Sequence, residues 1–242
     1  MPAYDAGRHV RGVLERLLAL GESEGAEPAR LRLARIIVVN DGSRDDTREQ
    51  VMSLCDARTP IELCDRARNG GYGAAMKDGI AAGMLDDPDV LACVHADGQY
   101  SPEALPGLLR RMRERGLDLL QGSRIASGTA RSGGMPRYKY LANALLNRIE
   151  NRTLGLSLSD YHSGYLLYGR RALRGLPFRA LSDSFDFDLE VLAAARARGL
   201  RIGEAPVPTH YGDQISHLNP AAYGLRVLGV LWRYRRGGYD AT

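Results

Sequence analysis

The sequence predicts a single-domain α/β protein with a doubly wound, mostly parallel sheet flanked by helices. Three observations point there. Short β-branched runs such as IIVVN (36–40) alternate with stretches of helical periodicity, the pattern of βαβ units. The strand candidates are continuous apolar runs, as expected of parallel strands buried on both faces. Polar clusters follow three of them, at Asn40–Ser43, His95–Gln99 and Gly122–Arg124. Ligands of such sheets bind beyond the carboxyl ends of strands, so the clusters point to one shared site.

Each element has its own justification. Val10, Val13, Leu14, Leu17 and Leu18 recur at three- and four-residue spacing and predict an opening helix. GESEGAEPAR is a loop, and IIVVN a buried strand that stops at the turn DGSRDDT. IELCD (61–65) is the second strand, followed by the glycine-rich RNGGYG entering a helix. VLACV is the third, ending in polar residues; Ser101 then caps a helix with Pro102 at its first position. LDLLQGSR is the fourth. No repeat or linker divides the chain, so residues 1–218 form the domain and 219–242 a C-terminal amphipathic, basic helix.

Composition sets the outer bounds. With 44% hydrophobic and 26% charged residues among 242, disorder, collagen and coiled coil are excluded. No apolar run approaches the ~20 residues of a membrane span, and no signal-peptide core opens the chain. Three cysteines without CxxC spacing suit a reducing compartment. A cytoplasmic protein is expected, at most resting on the inner face of the cell membrane. Net charge is +4, and 31 of the 33 basic residues are arginine. They are interspersed with 29 acids, so nucleic acid is not an expected partner.

Three segments carry candidate chemistry. In His95-Ala96-Asp97-Gly98-Gln99, an acid at a strand end among other ligand atoms suits Mg²⁺ or Mn²⁺, with substrate phosphates completing the shell. The bland alternative is a turn capped by Asp97. Asp41 can accept hydrogen bonds from a base or ribose, or simply cap a helix. Asn69-Gly70-Gly71-Tyr72-Gly73 allows close backbone approach to a ligand before a helix, yet is neither GxGxxG nor a P-loop.

Six blocks, PAYDAG (2–7), VVNDGSRDDT (38–47), RNGGYGAAMKDGI (68–80), HADGQYSPEAL (95–105), QGSR (121–124) and SDYHSGYLLYGRRAL (159–173), resemble the family 2 glycosyltransferases of the GT-A fold, in order and spacing. Within them, the chain is most similar to the polyprenyl- or dolichyl-phosphate sugar transferases. The resemblance implies a metal-dependent, inverting transfer of a hexose from a UDP- or GDP-sugar to an acceptor, here a polyprenyl phosphate. It places Tyr4, Asp5, Asp41 and Gly71 around the nucleotide. Asp97 becomes the metal-binding member of Asp-x-Asp, with Gln99 and His95 beside it, and Arg124 reaches a phosphate. Arg137, Lys139 and His217 add positive charge, and Asp160 lies near the acceptor. Asp186 and Asp188 are secondary base candidates.

The departures carry weight. His95 replaces the first Asp of Asp-x-Asp; a direct imidazole ligand favours Mn²⁺ but brings no negative charge. Ala6 stands where an acid is usual. No QxxRW block occurs, against a processive synthase, and no GxGTR-type loop, against a nucleotidyltransferase. The family's first strand precedes Pro-Ala-Tyr, so the expectation here is a first strand missing and a start assigned too far downstream. The rivals are a soluble or protein acceptor, and a catalytically silent nucleotide-binding subunit of a membrane complex. The stretch 221–234, with Leu225, Leu228, Leu231, Trp232 and arginines, suits an interfacial helix. The alternative is a helix packed on the core or on a second copy of the chain, as a homodimer.

Overall fold

The computed structural model describes residues 1–22, 32–56, 59–126, 128, 137–209 and 220–240. Its strands are β1 (Pro2–Ala3), β2 (Ile36–Asn40), β3 (Ile61–Asp65), β4 (Val90–Ala92), β5 (Leu119–Ser123), β6 (Leu166–Gly169) and β7 (Ile202–Pro206). Between them lie α1 (Gly7–Glu22), α2 (Thr47–Met52), α3 (Tyr72–Gly83), α4 (Leu105–Glu114), α5 (Arg137–Leu154), α6 (Arg170–Gly175) and α7 (Phe187–Ala197), and α8 (Pro220–Arg235) follows β7.

The ladder falls into two sheets, ordered β1-β2-β3, all parallel, and β4-β6-β5-β7. β5 pairs β7 in parallel, whereas β6 runs antiparallel to both β4 and β5. The α/β, mostly parallel prediction holds, with β6 as an inserted antiparallel strand. Because β6 runs backwards, the loop leading into it (158–165) arrives at the end where β5 exits. That reversal brings Asp160 to Arg124. At the first-strand position, Pro2 and Ala3 pair with Val39 and Asn40, and the Met1 ammonium donates to the Ile37 carbonyl at 2.8 Å.

Two apolar clusters fill the interior. One gathers Val10, Val13, Leu14 and Leu17 of α1 with β2 and β5 residues; the other centres on α7. Residues 187–195 of α7 are all buried, so the helix carries Asp188 and Glu190 into the core with it. Buried carboxylates require partners. Glu190 accepts from the Ser182 N–H (2.5 Å), the Tyr239 hydroxyl (2.6 Å) and Arg233 (2.5 Å), tying α8 and the chain after it to α7. α8 sends Val227, Val230 and Leu231 into the core, the packing half of the sequence expectation. Ser101 does not cap: its hydroxyl turns to the Glu103 carboxylate, and a 3₁₀ turn (Pro102–Ala104) precedes α4. Among the described residues, no helix is long and apolar enough to cross a membrane.

Candidate functional site

Two cavities open at the carboxyl ends of the strands. The larger, about 330 Å³, is lined by Tyr4 and Ala6, Asp41, Asn69, Gly71 and Tyr72, His95 and Asp97, and Ser184 and Phe185. The smaller, about 170 Å³, is lined by Asn143, Asn147, Ser159, Asp160 and His162 among others.

The first cavity is shaped by its turns. Asn40 leaves β2 and accepts the Ser43 N–H, while its amide donates to Asp65 at 2.7 Å. Gly42 follows at φ 69°, pressed on the Arg68–Asn69 backbone where a Cβ has no room. Asp41 is buried; its two oxygens accept the Gly70 and Gly71 N–H groups, both at 2.9 Å, and Arg66 pairs with it at 3.2 Å. It clamps the glycine loop as well as facing the cleft. Gly71, at φ 100°, lies where any side chain would strike the Asp183 carbonyl. The Asp-Asp-Thr turn serves two helices: Asp45 accepts the N–H of Thr47, which opens α2, at 3.1 Å, and the turn reaches across to α1 as well. Asp45 accepts the Gly7 N–H (2.9 Å) and Thr47 the Ala6 N–H (2.8 Å), at the start of α1. Burial works to raise the Asp45 pKa, but Thr47 and backbone N–H donors hold it below its ordinary value.

Asp97 and His95 meet at this cleft. Asp97 accepts the Gln99 N–H at 2.9 Å, so the turn reading is correct too, and the carboxylate still lines the cavity. The His95 ring lies against Tyr72 and Tyr100, centroids 5.6 and 5.7 Å away, and over Gly164, where a Cβ would enter the ring. Burial depresses the His95 pKa against the pull of Asp97, leaving a neutral imidazole at pH 7. Among the described residues, no three His, Cys, Asp or Glu side chains converge. One carboxylate and one neutral imidazole facing a cleft fit a divalent ion shared with a substrate diphosphate, rather than an all-protein cage.

Arg124, leaving β5, grips Asp160 with two parallel bonds of 2.7 and 3.1 Å and also donates to the His162 carbonyl at 3.1 Å. Burial works to raise the Asp160 pKa, but Arg124 and the His162 N–H hold it below the usual carboxylate range. Such a carboxylate is a poor base. Behind it, His162 Nε2 lies 3.2 Å from the buried Glu150, and His162 Nδ1 lies 2.8 Å from the Tyr223 hydroxyl of α8.

The structure therefore gathers Tyr4, Asp41, Gly71, His95 and Asp97 into one cleft and sets Arg124 and Asp160 beside the smaller pocket. Asp5 is turned to the Arg44 N–H instead, with φ 48°, and Gln99 is outside the cleft lining. Arg137 and Lys139 fall in the first turn of α5, their side chains outside the described residues, as His217 is entirely. Asp186 and Asp188 line neither cavity; they bond Ser182 and Tyr72. Sequence reasoning gave no site role to Tyr72 or Phe185, stacked at 6.1 Å and 11°, although Tyr72 sits in the glycine-rich segment it singled out.

Comparison with known proteins bears on the family and the fold. The model of glycosyl transferase family 2 matches residues 1–176. An undecaprenyl-phosphate mannosyltransferase of Micrococcus luteus is 31% identical over 193 residues, 78% of this chain and 76% of that one. A dolichyl-phosphate beta-glucosyltransferase of Trichomonas vaginalis is 26% identical over 242 residues, 96% and 70% of the two chains. In fold, the chain is similar to Mycobacterium tuberculosis glucosyl-3-phosphoglycerate synthase, solved with Mn²⁺, UDP-glucose and phosphoglyceric acid. That likeness has a TM-score of 0.67 at 17% identity, covering 96% of this chain and 77% of the other. Strand order, cleft and matched residues converge on one assignment: the chain belongs to glycosyl transferase family 2 and is a glycosyltransferase of the GT-A fold.

Proposed function

We propose that this glycosyltransferase moves a hexose from UDP- or GDP-sugar to a polyprenyl phosphate at the cytoplasmic face of the cell membrane. The carrying observation is the Arg124–Asp160 pair: Arg124 holds the Asp160 carboxylate below its ordinary pKa, which makes Asp160 a poor base for an alcohol, and the same guanidinium can meet a phosphate. An alcohol acceptor must lose a proton to a base in reach. A phosphate monoester has its second pKa near ~6 and attacks as it stands at pH 7. Relatives named for undecaprenyl and dolichyl phosphate support the same acceptor class.

The roles follow from placement. Tyr4 and Phe185, partly exposed at the cleft, offer apolar ring faces to a base. Asp41 holds Gly70 and Gly71 so that the backbone approaches the nucleotide closely. Asp97, with His95, would hold Mg²⁺ or Mn²⁺, which when bound neutralises charge on the departing diphosphate. Arg124 can share its guanidinium between Asp160 and an acceptor phosphate, and Asp160 orients it.

The test is transfer of labelled sugar from a panel of UDP- and GDP-hexoses, with Mn²⁺, to undecaprenyl phosphate or undecaprenol in detergent. Label should enter the organic phase with the phosphate and not with the alcohol. Equal transfer to undecaprenol, or transfer only to water-soluble acceptors, would sink the reading.

A further inference from the structure

We propose that α5 and α8 together present a docking surface for an anionic lipid bilayer, with Leu145, Ile149, Leu225, Leu228 and Trp232 as its anchors. On α8, residues 225, 228 and 232 share one face by helical spacing and are 72%, 48% and 59% exposed. On α5, Leu145 and Ile149 are one turn apart, 64% and 37% exposed. The two helices pack on each other, and they carry five of the ten large apolar side chains exposed among the described residues.

Charge selects the occupant. The exposed charges described on α5 and α8 are arginines, Arg148, Arg152 and Arg235, with Arg226 and Arg233 half exposed and paired to acids of α7. Glu150, the acid of α5, is buried and faces His162. Arg226 and Arg233 turn inward to Asp186 and Glu190 of α7, at 3.5 and 2.5 Å, which fixes the rotation of α8 and leaves its other face outward. Arg236, just past the helix, lies over the Trp232 ring at 4.4 Å. Apolar anchors, a tryptophan and cations without acids suit an anionic membrane interface. A second copy of the chain would set arginine against arginine. Placement agrees: α5 supplies Asn143 and Asn147 to the Asp160 pocket, and Tyr223 of α8 bonds His162 beside it. The surface deepens the polyprenyl-phosphate reading and rests on it for its purpose, since it sets that pocket beside the lipid.

Trp232 is the only tryptophan in the chain, so its emission reports on the surface directly. The full chain, without donor or acceptor, is titrated with vesicles of phosphatidylcholine alone or containing 30% phosphatidylglycerol. The expected result is a blue shift and co-sedimentation with the anionic vesicles, weakened by 0.5 M salt. Leu228→Glu should weaken binding more than about tenfold, and Arg235→Gln with Arg236→Gln roughly twenty-fivefold. Leu85→Glu, 81% exposed elsewhere, should change nothing. Absence of binding to anionic vesicles overturns the proposal. So does a wild-type dimer in sedimentation velocity that Leu228→Glu converts to monomer. If vesicle binding fails while undecaprenyl phosphate in detergent is still glycosylated, only this inference falls.

Discussion

Replacing Asp188 by Asn should make the protein more stable at alkaline pH and not at acidic pH. Asp188 is buried, its Oδ2 accepts the Tyr72 hydroxyl at 2.8 Å, and its Oδ1 has no hydrogen-bond partner. Burial pushes its pKa from 3.8 up to about 7, against Tyr72 and His162, which both pull it down. The folded state therefore holds a proton that the unfolded state releases above pH 4. Stability falls as pH rises from about 4 through about 7, and the full cost remains above that. At about 1.4 kcal/mol per pH unit, the cost comes to roughly 4 kcal/mol. Asn keeps the acceptor for Tyr72 and never ionises. Its amide carries an unfavourable term of its own, but that term is independent of pH. The informative quantity is therefore the stability difference between variant and wild type at pH 8.5 minus the same difference at pH 5. Because about one pH unit of the cost is already present at pH 5, it should favour the variant by roughly 3 kcal/mol, or on the order of 8 °C in Tm for a chain of this length. The other ionisable groups are common to both proteins and cancel to first order. Thermal denaturation in a pH series is the assay. Curves that run parallel from pH 5 to 8.5 would refute the reasoning.

Glu190→Ala leaves the Ser182 N–H and the Tyr239 hydroxyl buried without an acceptor, at about 1–3 kcal/mol each. Urea denaturation should show a loss of roughly 4 kcal/mol, and an unchanged midpoint would remove Glu190 from the set of buried acceptors that hold α7 to α8. Asp97→Ala should abolish the Mn²⁺-dependent part of the thermal shift given by UDP or GDP. In the wild type, a nucleotide at 100 times its Kd adds about 2.7 kcal/mol; an unchanged shift in the variant would remove Asp97 from the metal. Gly71→Ala puts a Cβ into the Asp183 carbonyl at φ 100° and should cost nucleotide affinity more than fold stability, read by titration calorimetry beside a melting curve. Equal affinity in that variant would show that the glycine loop does not approach the ligand.

What the sequence made legible was whatever is local. The parallel strands at 36–40 and 61–65 and the first helix are written in periodicity, and each cluster at a strand end could be read as facing the site. Tyr4, Asp41, Gly71, His95 and Asp97 do share a cleft because all of them sit at such ends. Non-local pairing was not legible. Leu166–Gly169 is a four-residue apolar run, too short for periodicity to tell strand from helix, and nothing in it announces an antiparallel insertion between β4 and β5. The same limit hid the Arg124–Asp160 pair, 36 residues apart, and the Tyr223–His162 contact, 61 apart. The bond from the Gly7 N–H to Asp45, 38 residues away, was hidden for the same reason.

Arg124 is committed to Asp160 and to the His162 carbonyl at once. Any anion that draws the guanidinium away leaves Asp160 buried without its counter-charge, and a carboxylate in that position takes up a proton. Binding of an anion that displaces Asp160 from Arg124 is therefore protonation-linked, whereas one that shares the guanidinium is not. The heat of binding should depend on the ionisation enthalpy of the buffer, and affinity should rise as the solution is made more acidic, until the anion itself is neutralised.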